Sequence, residues 1–333
     1  MKELTINEIA KLAGVSKTTV SRVLNNKPDV KSGTRELINN IITQYGFQPN
    51  AFAKAISHQR SHTIGLVIPY KAHYIFSNQF YADVINGVST EITQSGYYLL
   101  LCYAYNDNFI DMFKQKRVEG FIVISPGSYH KDIIDKINEA GALFVATSRV
   151  LGEQKVRYVD IDNFYAATLA IEHLISLGHR HIGFISNIGV LTSSEERLLG
   201  YKEVLGKYQI PYQQELIREG DGSIDSGYLA MSDLLRNEKL TAVFISGDTM
   251  AAGAVKAIKE QGKKVPGDIS VVGFDDLPLA QVMTPMLTTI RQSGFDRGNA
   301  AAKMLLDILE SKQTPDNLTL PVSLVVRDSS NNI

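Results

Sequence analysis

Lys17, Thr18 and Arg22 share one face of the segment from Lys17 to about Asn25 if it is helical, and that face carries no carboxylate. Side chains of these types suit the reading of DNA. Lys and Thr near a helix start reach base edges in the major groove, and an Arg fork one turn on matches the paired acceptors of guanine. Ser16, Thr19, Ser21 and Asn25 around them suit phosphate oxygens, which fix register without reading sequence, and Thr5 and Thr34 join that set. An ordinary helical hairpin with a solvated polar face fits the same spacing.

Holding those side chains takes two short helices and a tight turn. Thr5-Ile6-Asn7-Glu8 has the form in which a cap hydroxyl and a third-position carboxylate satisfy each other's backbone donors. The helix it starts is expected to bury Ile6, Ile9, Ala10 and Ala13. Gly14 can take the positive φ that ends it, Val15 fills the angle between the helices, and Ser16 caps the second. That second helix turns Val20, Val23 and Leu24 inward. A third, from about Gly33 to Tyr45 with Leu37, Ile38, Ile41 and Ile42 at helical spacing, closes the domain before Gly46. Residues 48–57 can start a helix after Pro49 but are too few to hold one alone, so their order must come from a partner.

At 333 residues the chain exceeds one small domain, since about 150 residues per domain is the usual prior. Its net charge of −1 hides an asymmetry: residues 1–60 carry nine Lys/Arg against four acids, a surplus of +5 that leaves −6 for the rest. A basic head on an acidic body fits a DNA-binding module joined to something that avoids DNA. The single cysteine, Cys102, lies in an apolar run and reads as a core thiol, which excludes an internal disulfide and suits a reducing cytoplasm. There is no signal-peptide core and no apolar run of about 18 residues or more, so export and membrane spanning are not expected.

From Thr63 the pattern becomes short apolar runs (Ile64–Ile68, Tyr98–Tyr103, Gly120–Ile124, Leu143–Ala146, Tyr158–Ile161, Ile182–Ile185, Ala242–Ile245, Ile269–Phe274) separated by longer amphipathic stretches. Alternation of this kind builds parallel sheets from βαβ units. The strands are too many for one sheet, and a break near Asp160–Asn163 suggests two α/β lobes with a cleft where the carboxyl ends of the strands meet. No G-x-S-x-G elbow, H-E-x-x-H or C-x-x-C occurs, and Gly262-Lys263 lacks the context of a phosphate loop. His179 and His181 sit at a helix-ending turn and a strand start, so both read as structural; no metal, cofactor or catalytic residue is expected.

The order of motifs carries a resemblance. T-I-x-E-I-A-x-x-A-G-V-S-x-x-T-V-S-R-V-L-N, then Val30 to Arg35, Tyr45-Gly46-Phe47-x-Pro49-Asn50, Asp162-Asn163, His173 to Arg180, Arg197 to Tyr201, Val272 to Asp276 and Pro285 to Ile290 closely resemble the lactose-repressor family of bacterial transcription regulators, over nearly the whole chain. The resemblance implies an all-α helix-turn-helix domain (1–47), a hinge helix and linker (48–60), and a two-lobed α/β body like a periplasmic sugar-binding protein (61–333). The first lobe would be about 61–161 plus 291–320 and the second about 162–290 plus 321–333. It also implies a homodimer on palindromic double-stranded operator DNA, with Asn50, Ala53 and Ile56 in the minor groove. There Ile56, in place of the usual leucine, wedges between base steps.

Within the body the resemblance assigns Phe80, Tyr81, Arg149, Arg197, Asp248 and Asp275 to a small-molecule cleft, for a sugar or sugar phosphate. Aspartates at strand ends accept hydroxyl protons, an Arg fork holds hydroxyl or phosphate oxygens, and an aromatic face covers apolar ring edges. Plainer uses stay open: Phe80 and Tyr81 as core, Arg197 as a brace, one of Asp275-Asp276 as a cap. The chain departs from the family pattern in three places. The stretch from Asn106 to Glu119 is shortened, which calls for a short helix, Ser148 stands where many relatives have aspartate, and Gly222 where many have an aromatic. The expected function is a repressor released by its effector. A corepressor-type or phosphoprotein-responsive regulator is the alternative, and an α/β enzyme with a DNA-targeting head is the remote one.

Overall fold

The computed structural model describes residues 4–24, 27–47, 60–71, 75–76, 78–104, 109–125, 130–150, 156–187 and 192–333; Asn25, Asn50, Ala53 and Ile56 lie outside them. The chain forms two compact units, Met1–Ser61 and His62–Ile333.

The first unit holds α1 (Ile6–Ala13), α2 (Lys17–Leu24) and α3 (Ser32–Tyr45). The capping box at Thr5 forms in full: the Glu8 amide donates to Thr5 Oγ1 at 3.3 Å and the Thr5 amide to Glu8 Oε2 at 2.6 Å. Gly14 ends α1 at φ 64°, and Ser16 Oγ accepts from the Thr19 amide at 3.1 Å to start α2. Ile9, Ala10, Ala13, Val20, Val23, Ile38 and Ile41 make the core, with Ile6, Leu24 and Ile42 half-buried against it. Leu37 departs from the expected stripe and is exposed, because the buried stripe of α3 runs through Ile38 and Ile41.

The second unit contains two sheets of six strands each. The first has the order β11 (Asn317–Leu320), β5 (Tyr158–Ile161), β4 (Phe144–Ala146), β3 (Phe121–Val123), β1 (Thr63–Ile68), β2 (Tyr98–Tyr103), and its ladders are all parallel. The second runs β12 (Ser323–Val325), β10 (Thr288–Arg291), β9 (Ser270–Asp275), β8 (Ala242–Ile245), β6 (Ile182–Asn187), β7 (Ile217–Gly220), with β12 antiparallel to β10. Both faces of each sheet are buried at the central strands, as helices on either side of a parallel sheet require. In the first, Ile64, Leu66 and Ile68 pack toward α4 (Gln79–Gln94) and α12 (Gly294–Leu309), while Val67, Phe121 and Val123 turn to α5 (Phe109–Lys114) and α6 (Lys131–Glu139). In the second, Ile185, Val243 and Val271 pack with α9 (Ile224–Leu234) and α10 (Asp248–Glu260). On the opposite face, Phe184, Phe244 and Phe274 meet α7 (Asn163–Ser176) and α8 (Thr192–Lys207). At six residues α5 is as short as the shortened stretch implies.

The chain passes between the two sheets three times: from β5 into α7, from β10 into α12, and from β11 into β12. α9 and α10 pack backbone to backbone. A Cβ on Gly253 would stand 1.9 Å from the Ile224 carbonyl oxygen, and one on Gly227 2.1 Å from that of Met250. His179 is structural: its Nδ1 pairs with Thr241 Oγ1 at 3.0 Å and its Nε2 with the Asn331 carbonyl at 3.1 Å. Among the described residues no helix is long and apolar enough to cross a membrane.

Candidate functional site

Two places carry function-bearing side chains, one in each unit. On α2, Lys17, Thr18 and Arg22 are exposed together, Ser16 is exposed before them, and Thr19 and Ser21 are half-buried. Thr5 keeps its hydroxyl in the capping box, where it donates to Glu8 Oε2 at 2.9 Å, and Thr34 is half-buried at the start of α3. One partner was not legible in advance: Arg22 Nε donates to Asp29 Oδ1 at 3.2 Å and its Nη2 pairs with Asp29 Oδ2, which holds that carboxyl below its ordinary range. An exposed pair of this kind is weak, so Asp29 aims the guanidinium without locking it.

The second place is a cleft in the second unit that holds about 650 Å³ of empty space when its open mouth is counted. Its walls are carboxyl ends of strands. Ser125 follows β3, Ser148 follows β4, Asn187 ends β6, Gly222 follows β7, Ser246 and Gly247 follow β8, Asp275 ends β9, and Gln292 follows β10. Asn78, Phe80 and Tyr81 enter from the start of α4, Thr192, Ser193 and Arg197 from α8, and Arg297 from α12. Both lobes therefore face one polar space.

Of the six residues assigned to the cleft, four line it. Phe80 and Tyr81 are buried and meet edge to face at 5.5 Å. Arg197 lies flat on the Phe274 ring at 3.5 Å, with Nε donating to Asn163 Oδ1 at 3.0 Å; burial pulls its guanidinium down to about 10. Asp275 is pushed up to about 6 by burial, against the opposing pull of Arg197 and the Gln292 amide. It sits at φ 108° beside Asp276 at φ 59°. Two consecutive residues of positive φ outside glycine mark a loop held by its surroundings. Asp276 supplies that hold, accepting from Arg291 Nε at 2.7 Å and from Arg327 Nη2 at 2.5 Å.

The other two go elsewhere. Asp248 stands behind the wall with both oxygens taken, by the Leu277 amide at 2.8 Å and Thr289 Oγ1 at 2.7 Å, so it braces the β9–α11 (Pro278–Val282) loop in place of the expected contact. Burial drives its carboxyl well above the ordinary value. Arg149 turns outward to Glu196 on α8 at 3.2 Å and ties one lobe to the other, while Ser148 takes the lining position. Arg297 and Gln292 were missed by sequence reasoning. Arg297 is buried over the Phe80 ring at 5.2 Å, donates to Gln292 Oε1 at 2.6 Å and pairs with Asp160 at 3.2 Å. Thr192 Oγ1, Ser246 Oγ and Arg297 Nε are buried with no hydrogen-bond partner among the described residues. Unmet polar atoms at a cavity wall are costly unless a ligand or water meets them.

Comparison with known proteins now adds to this geometry. Residues 5–50 match the pattern of bacterial regulatory proteins of the lacI family, and residues 171–330 match the periplasmic binding protein-like domain. The chain is 33% identical to the HTH-type transcriptional regulator CelR of Thermobifida fusca, over 98% of both chains. This chain belongs to the lacI family. It is a DNA-binding regulator of transcription with a two-lobed periplasmic-binding-protein-like body. Two solved structures share its build. The CelR–cellobiose complex matches at a TM-score of 0.77 and 32% identity, covering 98% of this chain and 100% of that one. The lac repressor dimer bound to operator and an anti-inducer matches at 0.87 and 28%, covering 99% and 100%.

Proposed function

We propose that this lacI-family regulator is a homodimeric, cytoplasmic repressor whose hold on a palindromic operator is set by a small carbohydrate in the cleft between its lobes. The observation that carries the reading is the cavity itself. Hydroxyl and amide side chains from both lobes line it, Asp275 supplies an acceptor, and two hydroxyls lack partners among the described residues. That donor and acceptor set matches a polyol, and Phe80 and Tyr81 give it an apolar wall. A relative binding cellobiose and another seated on an operator as a dimer support the same reading.

On this account Lys17, Thr18 and Arg22 read base edges, and Ser16, Thr19, Ser21, Asn25, Thr5 and Thr34 hold phosphates. The tether at 48–60 places Asn50, Ala53 and Ile56 in the minor groove. Cleft occupancy changes the angle between the lobes and so the separation of the two tethers. The chain reads as a regulator and not an enzyme, as its relatives are regulators, with Asp275 serving as an acceptor held by Gln292. A thermal-shift screen of neutral sugars and sugar phosphates, repeated with promoter DNA, tests the proposal. A sugar that raises the melting temperature and changes operator affinity is expected; a panel with no such sugar overturns the carbohydrate reading.

A further inference from the structure

Six buried side chains form an open ring at the cleft. Arg197 Nε donates to Asn163 Oδ1 at 3.0 Å, and Asn163 Nδ2 donates to Asp160 Oδ1 at 3.4 Å. Asp160 Oδ1 pairs with Arg297 Nη2 at 3.2 Å, which also donates to Gln292 Oε1 at 2.6 Å. Gln292 Nε2 donates to Asp275 Oδ1 at 2.5 Å, and the two ends of the open ring, Asp275 and Arg197, carry opposite charges and line the same cleft. Asp160 and Asn163 stand at the first passage between lobes and Gln292 at the second, so the ring runs through two of the three connections.

Two guanidiniums in a carbohydrate cleft invite a phosphate, but each already has a carboxylate. Asp160 faces Arg297 with both side chains almost fully buried, and its oxygens also accept from the amides of Arg149 and Ile161. Asp275 offsets Arg197. At the rim Arg149 is matched by Glu196. An added anion would therefore leave an uncompensated charge in a site shielded from water, where charge is expensive. A hydroxyl carries no such cost and can meet the Thr192 and Ser246 hydroxyls and Arg297 Nε, which have no partner among the described residues.

We infer that this ring makes the cleft selective for uncharged polyols over phosphorylated or other anionic ligands, with Asp160 the positioning residue that cancels and orients Arg297. The inference rests on the carbohydrate reading of the cleft and narrows it. Inorganic phosphate at fixed ionic strength is the probe, titrated by calorimetry into the full-length wild type, Asp160→Asn, and Asp160→Asn with Arg297→Gln. Wild type and double variant should share one weak background from the DNA-binding unit. Asp160→Asn should exceed it by at least about tenfold, as one unpaired guanidinium predicts. Phosphate binding by the wild type above the double variant's background, or no gain in Asp160→Asn, overturns the proposal.

Should Asp160→Asn fail to fold, melting curves take its place. Arg297→Gln strands Asp160, so it should melt below the double variant, and equal melting temperatures would refute the pairing. The phosphate contrast uses no sugar. A wild type that binds no neutral sugar therefore sinks the carbohydrate reading without touching this charge balance.

Discussion

In the proposed function Arg22 and Asp275 carry the two recognitions, and each assignment has a measurable signature. Replacing Arg22 with Ala removes the fork for guanine at a cost of about 1–3 kcal/mol per contact. Discrimination between operator and random DNA should then fall by an order of magnitude or more in a competition mobility-shift assay, with dimerisation and sugar binding intact; unchanged discrimination would remove its role. Asp275 accepts hydroxyl protons most strongly when ionised. Sugar affinity should drop as pH falls through about 6, and Asp275→Asn should bind weakly with a flat profile. Stability has the opposite sign. The raised carboxyl holds its proton in the folded state between 3.8 and about 6, so its contribution declines as pH rises across that window. The melting temperature of the wild type minus that of Asp275→Asn should therefore decrease from pH 4 to pH 6. Arg297 escaped sequence reasoning because one charged residue in the first turn of a helix looks like any solvated side chain. Its burial comes from Asp160, some 140 positions away in the chain, and no local pattern records that pairing. Asp248 shows the converse, since an aspartate after a strand suits a ligand or a brace equally and only its partners decide.

The elements that sequence disclosed were those with strong internal period or punctuation. Thr5, Gly14 and Ser16 mark helix ends by chemistry that acts within a few residues, and α1 and α2 fall where those marks put them. The central strands are continuous apolar runs because both faces are covered, and β1 and β8 were legible for that reason; β2, at a sheet edge and partly exposed, was legible from its apolar run alone. β7, β10, β11 and β12 were not: each lies at or beside a sheet edge, is three or four residues long and is partly polar, so only its ladder partner makes it a strand. The packing of α9 on α10 belongs to this scale too. Gly253→Ala pushes a methyl group into the Ile224 carbonyl and must part the helices, an overpacking cost of about 1–3 kcal/mol. A lower melting temperature by a few degrees, read by circular dichroism, is expected; an unchanged one would mean that the two backbones are not in contact.

At the scale of the molecule, two sheets share one cavity whose walls belong to both, and the connections between them carry the side chains that hold the cavity's charges. On the proposed function a ligand there favours one spacing of the lobes over another, which is the differential binding any switch requires. Coupling of that kind is reciprocal: whatever factor the sugar applies to operator affinity, the operator must apply to sugar affinity. The most direct test titrates a sugar identified by the thermal screen into the dimer with and without a saturating operator fragment, beside operator titrations with and without saturating sugar. The account predicts the same factor from both pairs, of about 5- to 150-fold. Sugar affinity that is identical with and without operator would contradict it.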